Sequence, residues 1–231
     1  MTTDASSAIQ VASRVHGFSY AIRNIVEEAK KVEAVGTRVR YLNIGDPIPF
    51  GFKTPQHLLD AVKRAMHDGL NGYTSSPGIE PAREAVADDF VVRGLKIQAD
   101  RVLLTMGTSE GNELALTALV DPGEEVLVPV PTYPLYTAVL AKLGANAAYY
   151  RTDPNNNWMP DLDHIESLIG PSTRALVVIN PNNPTGAVYS DSTRRKLLDL
   201  ANRHNLLLLA DEVYADLAYD GPISPIGSLD P

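Results

Sequence analysis

Between residues 101 and 210 the chain alternates short apolar segments with longer segments whose apolar residues recur at helical spacing. Apolar strands this short, each followed by a helix, are typical of a mainly parallel sheet covered by helices on both faces. The sequence therefore predicts an α/β fold with three layers, α/β/α. The predicted strands are 101–105, 125–128, 147–150, 175–179 and 206–210, and the predicted helices are 110–119, 134–142, 161–169 and 191–203.

The order of these elements also predicts where a ligand binds. Crossovers between parallel strands are right-handed almost without exception, so the loops that follow the strands meet at one edge of the sheet. Ligands of such sheets bind at that edge, beside the carboxyl ends of the strands. The candidate functional segments are therefore the loops that follow the strands predicted at 101–105, 125–128, 175–179 and 206–210.

Composition excludes several classes of function. The chain has 231 residues, no cysteine, and 20 basic against 28 acidic side chains, for a net charge of -8. Disulfides, thiolate metal sites and a cysteine nucleophile are therefore excluded, and the acidic balance argues against nucleic acid as a partner. The histidines lack the spacing of metal ligands. No secretory signal begins the chain and no apolar stretch approaches the ~20 residues that span a bilayer, which favours a cytoplasmic enzyme.

The loop after the first predicted strand has the composition of an anion site. It contains Gly107, Thr108, Ser109 and Glu110, and it leads directly into a helix. The exposed N–H groups and the dipole at a helix N-terminus attract anions, and two hydroxyl groups add further donors. The alternative is that Ser109 simply caps the helix, since serine is a favoured N-cap residue.

Two further loops carry an aromatic ring and an amide. Tyr133 follows the strand at 125–128, where its ring could stack on a flat heteroaromatic ligand or pack in the core. The run Asn-Pro-Asn-Asn-Pro-Thr-Gly at 180–186 follows the strand at 175–179. Its prolines restrict themselves and the residues before them, so the loop can hold the Asn183 amide in place, although these residues are also turn formers.

The fourth segment is Asp211-Glu212-Val213-Tyr214, at the end of the strand predicted at 206–210. A carboxylate at the end of a buried strand needs a partner, because burying an unpaired charge is costly. A protonated pyridine nitrogen would be such a partner, and Tyr214 could bond a phenolic oxygen on the same ligand. The alternative for Asp211 is a helix N-cap.

A serine hydrolase is a competing interpretation. Gly107-Thr108-Ser109-Glu110-Gly111 matches the G-x-S-x-G nucleophile elbow between a strand and a helix. In that reading Ser109 is the nucleophile and Asp211 is the acid. However, no histidine follows His204, so the triad is not completed in the order Ser, Asp, His. The hydrolase reading also leaves the Asn-Pro loop unexplained.

The Asn-Pro-Asn-Asn-Pro-Thr-Gly run and the Asp-x-x-Tyr run, in this order, resemble the class I and II aminotransferases that use pyridoxal 5'-phosphate (PLP) and have the aspartate aminotransferase fold, fold type I. The resemblance extends from about Tyr20 to Pro231, and aminotransferases that act on alanine look closest. It implies that PLP is the cofactor and that an amino group moves from an L-amino acid, alanine, to a 2-oxo acid, 2-oxoglutarate.

The resemblance also implies roles for individual residues. Thr108, Ser109 and Glu110 would lie at the cofactor phosphate, and Tyr133 would stack on the pyridine ring. Asn183 and Tyr214 would bond the ring oxygen, Asp211 would bond the ring nitrogen, and Gly45 and Asn183 would bind the substrate. Tyr73 would reach the phosphate of the other subunit, which requires a homodimer. The implied division is an N-terminal arm with part of a small domain at 1–45, and a large PLP-binding domain at 46–231, incomplete at its C-terminal end.

The sequence departs from the family pattern at one point. In such enzymes the lysine that forms the Schiff base with the cofactor, and the arginine that binds the substrate carboxylate, lie farther along the chain, whereas no lysine follows Lys196 here. The resemblance therefore predicts an N-terminal portion of an enzyme of roughly 400 residues, in two domains, that does not transaminate at an enzymatic rate by itself. The alternative is a non-catalytic fragment that binds PLP or dimerises.

Overall fold

The computed structural model describes residue 12, residues 21–43 and residues 45–229. The arm predicted at residues 1–15 lies outside this range except for residue 12. The chain divides into one compact unit formed by Ala21–Ile79 and a second that contains the residues from Glu80 onward. This division reflects only how compact each part of the chain is, and it does not test the domain boundary predicted between residues 45 and 46. That boundary stays a prediction.

The first unit is mainly helical. It contains α1 (Ala21–Ala34) and α2 (Gln56–His67), with a short 3-10 turn at Ile48–Phe50. The backbone after α1 turns at Gly36, whose φ of 90° is a value that glycine adopts without strain. The apolar residues of α1 recur at spacings of three and four, as expected of a helix with one apolar face.

The second unit contains the predicted sheet. Among the described residues the strand order is β3-β2-β1-β4-β5. The ladders between β1 and β2, β1 and β4, and β4 and β5 are parallel, whereas β2 and β3 are antiparallel. The strands are β1 (Glu125–Val130), β2 (Asn146–Asp153), β3 (Met159–Pro160), β4 (Thr173–Ile179) and β5 (Leu207–Asp211), and the helices are α3 (Glu80–Val92), α4 (Thr108–Leu119), α5 (Leu135–Leu143), α6 (Leu162–Leu168) and α7 (Asp191–Arg203).

The sheet is packed on both faces, because successive residues of a strand point to opposite sides. Leu127 and Leu176 pack with α6 and α7 in one core cluster. Val126 and Val177 pack with α4 and α5 in the other. The α/β/α layering predicted from the sequence is therefore confirmed.

One local prediction was wrong, and one strand was not predicted. The segment 101–105 forms no strand: Ala99–Arg101 is a 3-10 turn, and Val102, although extended and buried, pairs with no described neighbour. A strand requires a hydrogen-bonded neighbour as well as an apolar sequence, and the sequence pattern reports only the second. The antiparallel strand β3 was not predicted, because two residues are too short to show alternation.

The order of the strands creates a crevice. From β1 the chain continues to β2 on one side, and it returns to place β4 on the other side of β1. Such a reversal separates the loops that leave the carboxyl ends of neighbouring strands, and ligands bind in the gap. At this edge Ile179, which ends β4, lies beside Asp211, which ends β5. No helix in the described part of the chain is long and apolar enough to cross a membrane.

Candidate functional site

A cavity of about 200 Å³ opens at the carboxyl ends of the strands. It brings together residues from four loops that are separated by up to about a hundred positions in the sequence. All but one of the cofactor-site residues predicted in the second unit line it, together with others that were not predicted. The lining residues are Thr108, Ser109, Asn112, Tyr133, Leu135, Ile179, Asn183, Asp211, Val213 and Tyr214.

Asp211 is the charged group of this cavity. It is 6% exposed. Its Oδ2 accepts a hydrogen bond of 2.6 Å from the Tyr136 hydroxyl and a longer one of 3.5 Å from the Asn112 amide. Its Oδ1 accepts only a 3.3 Å bond from the backbone N–H of Val213. One carboxylate oxygen is therefore well satisfied and the other is weakly bonded.

The donors around Asp211 are all neutral. The ion pairs found among the described residues do not include Asp211. Burial, reinforced by the neighbouring Asp211 charge, raises the pKa of Tyr136 far above its usual range, so the phenol stays protonated and remains a donor. A buried carboxylate is stabilised by a partner of opposite charge. The cavity therefore favours a ligand with a cationic N–H group next to Asp211.

The Asn-Pro loop forms another wall of the cavity. Within the loop the Asn180 Oδ1 accepts from the Tyr189 N–H at 2.7 Å, and the Asn182 Oδ1 accepts from the Thr185 N–H at 3.2 Å. These internal bonds fix the loop, and Asn183 is left at the cavity. The Asn183 Nδ2 lies 3.5 Å from the Tyr214 hydroxyl, a separation that makes only a weak hydrogen bond. Both groups can therefore bond a ligand oxygen between them.

The N-terminus of α4 forms the polar end of the cavity. Gly107 is the N-cap residue, and no side chain caps the helix. The capping role considered for Ser109 is therefore not seen, and Thr108 and Ser109 line the cavity instead. Glu110, predicted at the same site, turns away: its carboxylate accepts from the Met106 N–H and it does not line the cavity. The first-turn N–H groups suit an anionic ligand group.

The conformation of Gly107 leads to a prediction about this loop. Its φ of 78° and ψ of 167° lie in a region that is essentially restricted to glycine, although an added Cβ would meet open space. Gly107→Ala is expected to lower the free energy of unfolding by roughly 1–3 kcal/mol through backbone strain alone. Thermal or urea unfolding measures this change.

Gly170→Ala is the matched control, since its Cβ also meets open space and its φ is outside the left-handed region. This control is expected to be neutral or to stabilise the fold by about 0.4–1 kcal/mol. Equal unfolding energies for the two variants would contradict the structure of the Gly107 loop.

Two predicted site residues lie in the other compact unit. Tyr73 and Gly45 both belong to Ala21–Ile79, and both are exposed there. Their predicted roles, at the phosphate of a partner subunit and at the substrate carboxylate, stay predictions.

Sequence reasoning missed two polar residues at Asp211. Asn112 comes four residues after Thr108, and Tyr136 comes three residues after Tyr133. Residues three and four apart share one face of a helix, so the spacing could have identified Asn112 as part of the same site. The spacing is weaker evidence for Tyr136, because Tyr133 lies before the start of α5 and the two residues do not share a helix face.

The cavity does not supply the parts of a serine hydrolase. No histidine is among the residues that line it. His204 contacts Glu166 at 3.1 Å, and the His164 ring accepts from the Arg151 N–H. Among the described residues, no group of histidine and acidic side chains is arranged to hold a metal ion. Among the described residues, Ser109 therefore has no histidine base beside it to activate it.

Comparisons with known proteins identify the family of this chain. The family model for aminotransferase class I and II matches residues 38–229. The chain is 40% identical over 216 residues to glutamate-pyruvate aminotransferase AlaA of Escherichia coli K12, covering 93% of this chain and 53% of the relative. It is 43% identical to alanine aminotransferase of Mycobacterium bovis, covering 92% and 50%. The chain thus spans about half the length of the curated relatives it matches.

Solved structures give the same result for the fold. The alanine aminotransferase of Pyrococcus furiosus superposes with a TM-score of 0.91 at 37% identity, covering 96% of this chain and 57% of that structure. An aspartate aminotransferase double mutant of Thermus thermophilus superposes with a TM-score of 0.89 at 32% identity, covering 97% and 58%. The fold type implied by the sequence resemblance is thereby confirmed.

Proposed function

The chain belongs to the class I and II aminotransferase family, and on this premise we propose that the protein moves an amino group from L-alanine to 2-oxoglutarate. Enzymes of this family depend on PLP. The activity, the substrates and the partner are proposals for the whole protein that carries this sequence. The cytoplasmic location is part of the same proposal.

One observation carries the cofactor assignment. Asp211 is a buried carboxylate that lines a cavity and has only neutral donors among the described residues. A protonated pyridine nitrogen supplies the missing positive charge and an N–H group that can donate a hydrogen bond to Asp211. The N-terminus of α4 at the polar end of the same cavity suits the phosphate, so the donors present fit PLP at both ends.

The other lining residues fit the remaining parts of the cofactor. The Tyr133 ring can stack on the flat pyridine ring. Asn183 and Tyr214 can both donate to its phenolic oxygen, since their mutual hydrogen bond is weak. Thr108 and Ser109 can bond the phosphate through main-chain N–H groups and hydroxyls. The role of Glu110 is then indirect, because its carboxylate holds the Met106 N–H in the same loop.

In the proposed reaction, the residues of this chain bind and orient the cofactor. PLP, when bound, supplies an electron sink for negative charge at the substrate α-carbon. Asp211 keeps a proton on the ring nitrogen, which maintains that sink. Asn183 and Tyr214 hold the ring oxygen and fix the plane of the ring. The Asn-Pro loop keeps Asn183 in position through its internal hydrogen bonds.

The names of the relatives support the proposed substrate pair. The Escherichia coli relative is named a glutamate-pyruvate aminotransferase and the Mycobacterium bovis relative an alanine aminotransferase. The second name gives alanine, and amino transfer between the glutamate and pyruvate of the first name interconverts them with 2-oxoglutarate and alanine. The protein expressed from its full gene is expected to form pyruvate from L-alanine and 2-oxoglutarate, and a faster rate with L-aspartate than with L-alanine would contradict this substrate choice.

A homodimer completes the proposal. Tyr73 is fully exposed on the Ala21–Ile79 unit, as a residue that reaches into a partner subunit would be. This role remains a proposal that rests on the family resemblance.

The test of the cofactor site compares PLP with pyridoxal, which lacks the phosphate. Titration of the purified chain, followed by absorbance, is expected to show saturable PLP binding. Pyridoxal is expected to bind about 10- to 100-fold more weakly, because each charge-assisted hydrogen bond contributes about 1.5–3 kcal/mol. Equal affinities would contradict a phosphate site at α4, and absence of PLP binding would contradict the cofactor assignment as a whole.

A second candidate is a protein that binds PLP without catalysis. It is favoured by one observation: no lysine is among the residues that line the cavity. Borohydride reduction of the PLP complex of the protein expressed from its full gene separates the two candidates. Reductive attachment of the cofactor to one specific lysine supports the enzyme, whereas a complex that releases all its cofactor after reduction supports the non-catalytic protein.

A further inference from the structure

Behind Asp211 lies a small polar group that the cofactor assignment does not use. Tyr136 belongs to α5 and is almost completely buried. Its hydroxyl donates to the Asp211 Oδ2 at 2.6 Å and accepts from the Asn112 amide at 3.0 Å. The Asn112 amide is also 3.5 Å from the same Asp211 oxygen. The three side chains therefore form a closed network at one carboxylate oxygen.

We propose that Tyr136, supported by Asn112, is a positioning residue for the cofactor: it binds the Asp211 Oδ2 and thereby presents the Oδ1 to the ring nitrogen. The inference rests on the proposed function, since it requires a ligand with a ring nitrogen in the cavity.

The network assigns different tasks to the two oxygens. The Oδ2 has the short bond to Tyr136, whereas the Oδ1 has only the 3.3 Å bond to the Val213 N–H. The terminal torsion of an aspartate is broad, so the carboxylate can rotate unless a donor fixes it. The Tyr136 hydroxyl supplies that donor, and the oxygen that keeps free acceptor capacity is then the Oδ1.

The network also lowers the cost of burying the carboxylate. A buried carboxylate is costly, and each donor that bonds it reduces that cost. Loss of the phenol would leave Asn112 as the remaining side-chain donor, at 3.5 Å. The loss would change PLP affinity in two opposite ways. It would weaken binding because the carboxylate is no longer oriented, and it would strengthen binding because a carboxylate with fewer donors attracts a cation more strongly. The loss of orientation is expected to prevail, since no other side-chain donor among the described residues holds the Oδ2 as closely as Tyr136.

Tyr136→Phe tests the proposal with two ligands. One is PLP, and the other is its analogue with CH in place of the ring nitrogen, which cannot bond Asp211. The variant is expected to raise the Kd of PLP about tenfold, equivalent to 1.4 kcal/mol, and to change the Kd of the analogue less than twofold. A purely structural role would weaken both ligands equally.

Tyr150→Phe is the matched control. Tyr150 is also fully buried, and its hydroxyl donates to the Val177 carbonyl at 2.9 Å, in the core cluster on the other face of the sheet. This control removes one buried phenol hydrogen bond and is expected to leave both Kd values within twofold of the wild type. Asn112→Ala is a second variant that leaves the buried ring in place, and it is expected to raise the Kd of PLP about threefold.

The outcomes separate this inference from the cofactor assignment. Weaker PLP binding by Tyr136→Phe, with the analogue unaffected, supports the proposal. Unchanged PLP binding, or equal weakening of both ligands, overturns it while the cofactor assignment stands. A wild-type chain that does not bind PLP overturns both.

Discussion

Asp211→Asn is expected to weaken PLP binding by about 100- to 1,000-fold. The substitution keeps the shape of the side chain and an oxygen that accepts from Tyr136, but it removes the charge. Removing one partner of a buried ion pair costs about 3–5 kcal/mol. The lower part of that energy range corresponds to the expected loss of affinity. Fluorescence or absorbance titration of the purified variant measures the change.

The same variant is expected to keep or to gain stability without ligand. Within the described part of the chain the buried carboxylate has only neutral partners, so its charge is a cost to the folded chain that the cofactor relieves. Thermal unfolding of the ligand-free Asp211→Asn variant should therefore occur at or above the wild-type temperature. The nitrogen-free PLP analogue should bind the variant and the wild type about equally.

Asp199→Asn provides the control for a change of charge alone, because Asp199 is exposed on α7. It is expected to leave PLP binding unchanged. If Asp211→Asn bound PLP as tightly as this control, Asp211 would not be the partner of the ring nitrogen.

Leu176→Ala is expected to lower the free energy of unfolding by about 2–5 kcal/mol. Leu176 is fully buried on β4 and pairs with Leu127 on β1 and Leu208 on β5. Truncation leaves a cavity in the core cluster beneath α7, where the packed sheet cannot fully collapse. For a chain of this length the expected drop in Tm is about 5–15 °C.

Leu114→Ala, at a half-exposed position of α4, is the matched control. It removes the same atoms with little loss of packing, and it is expected to cost less than about 1 kcal/mol. Similar losses for the two variants would contradict the burial of Leu176 in β4, between β1 and β5.

The sequence was most informative where one local signal and the tertiary packing agree. β4 and α7 were predicted to within two residues at each end, because β4 is apolar from Ala175 to Ile179 and Ser190 caps α7 through its bond to the Thr193 N–H. The segment 101–105 has a similar apolar sequence, yet it forms no strand. The difference lies in the neighbours, which a local pattern does not contain.

The residues of the candidate site likewise differ in whether the local sequence could predict them. Asp211 and Asn183 were predicted because each occurs in a distinctive short run at the end of a strand. Tyr136 and Asn112 belong to no such run, and their importance comes from distances to Asp211 that only the fold creates. Tyr73 was predicted from the family resemblance alone, and its role needs a second subunit to be tested.

The central claim is that Asp211 keeps a proton on the ring nitrogen of bound PLP. Nitrogen-15 NMR of the chain bound to PLP labelled at that nitrogen measures the proton directly, at a pH where the free cofactor has lost it. The account predicts the resonance of a protonated pyridine nitrogen in the wild type and its loss in Asp211→Asn. An unprotonated nitrogen in the wild-type complex, or the same resonance in both proteins, would contradict the account.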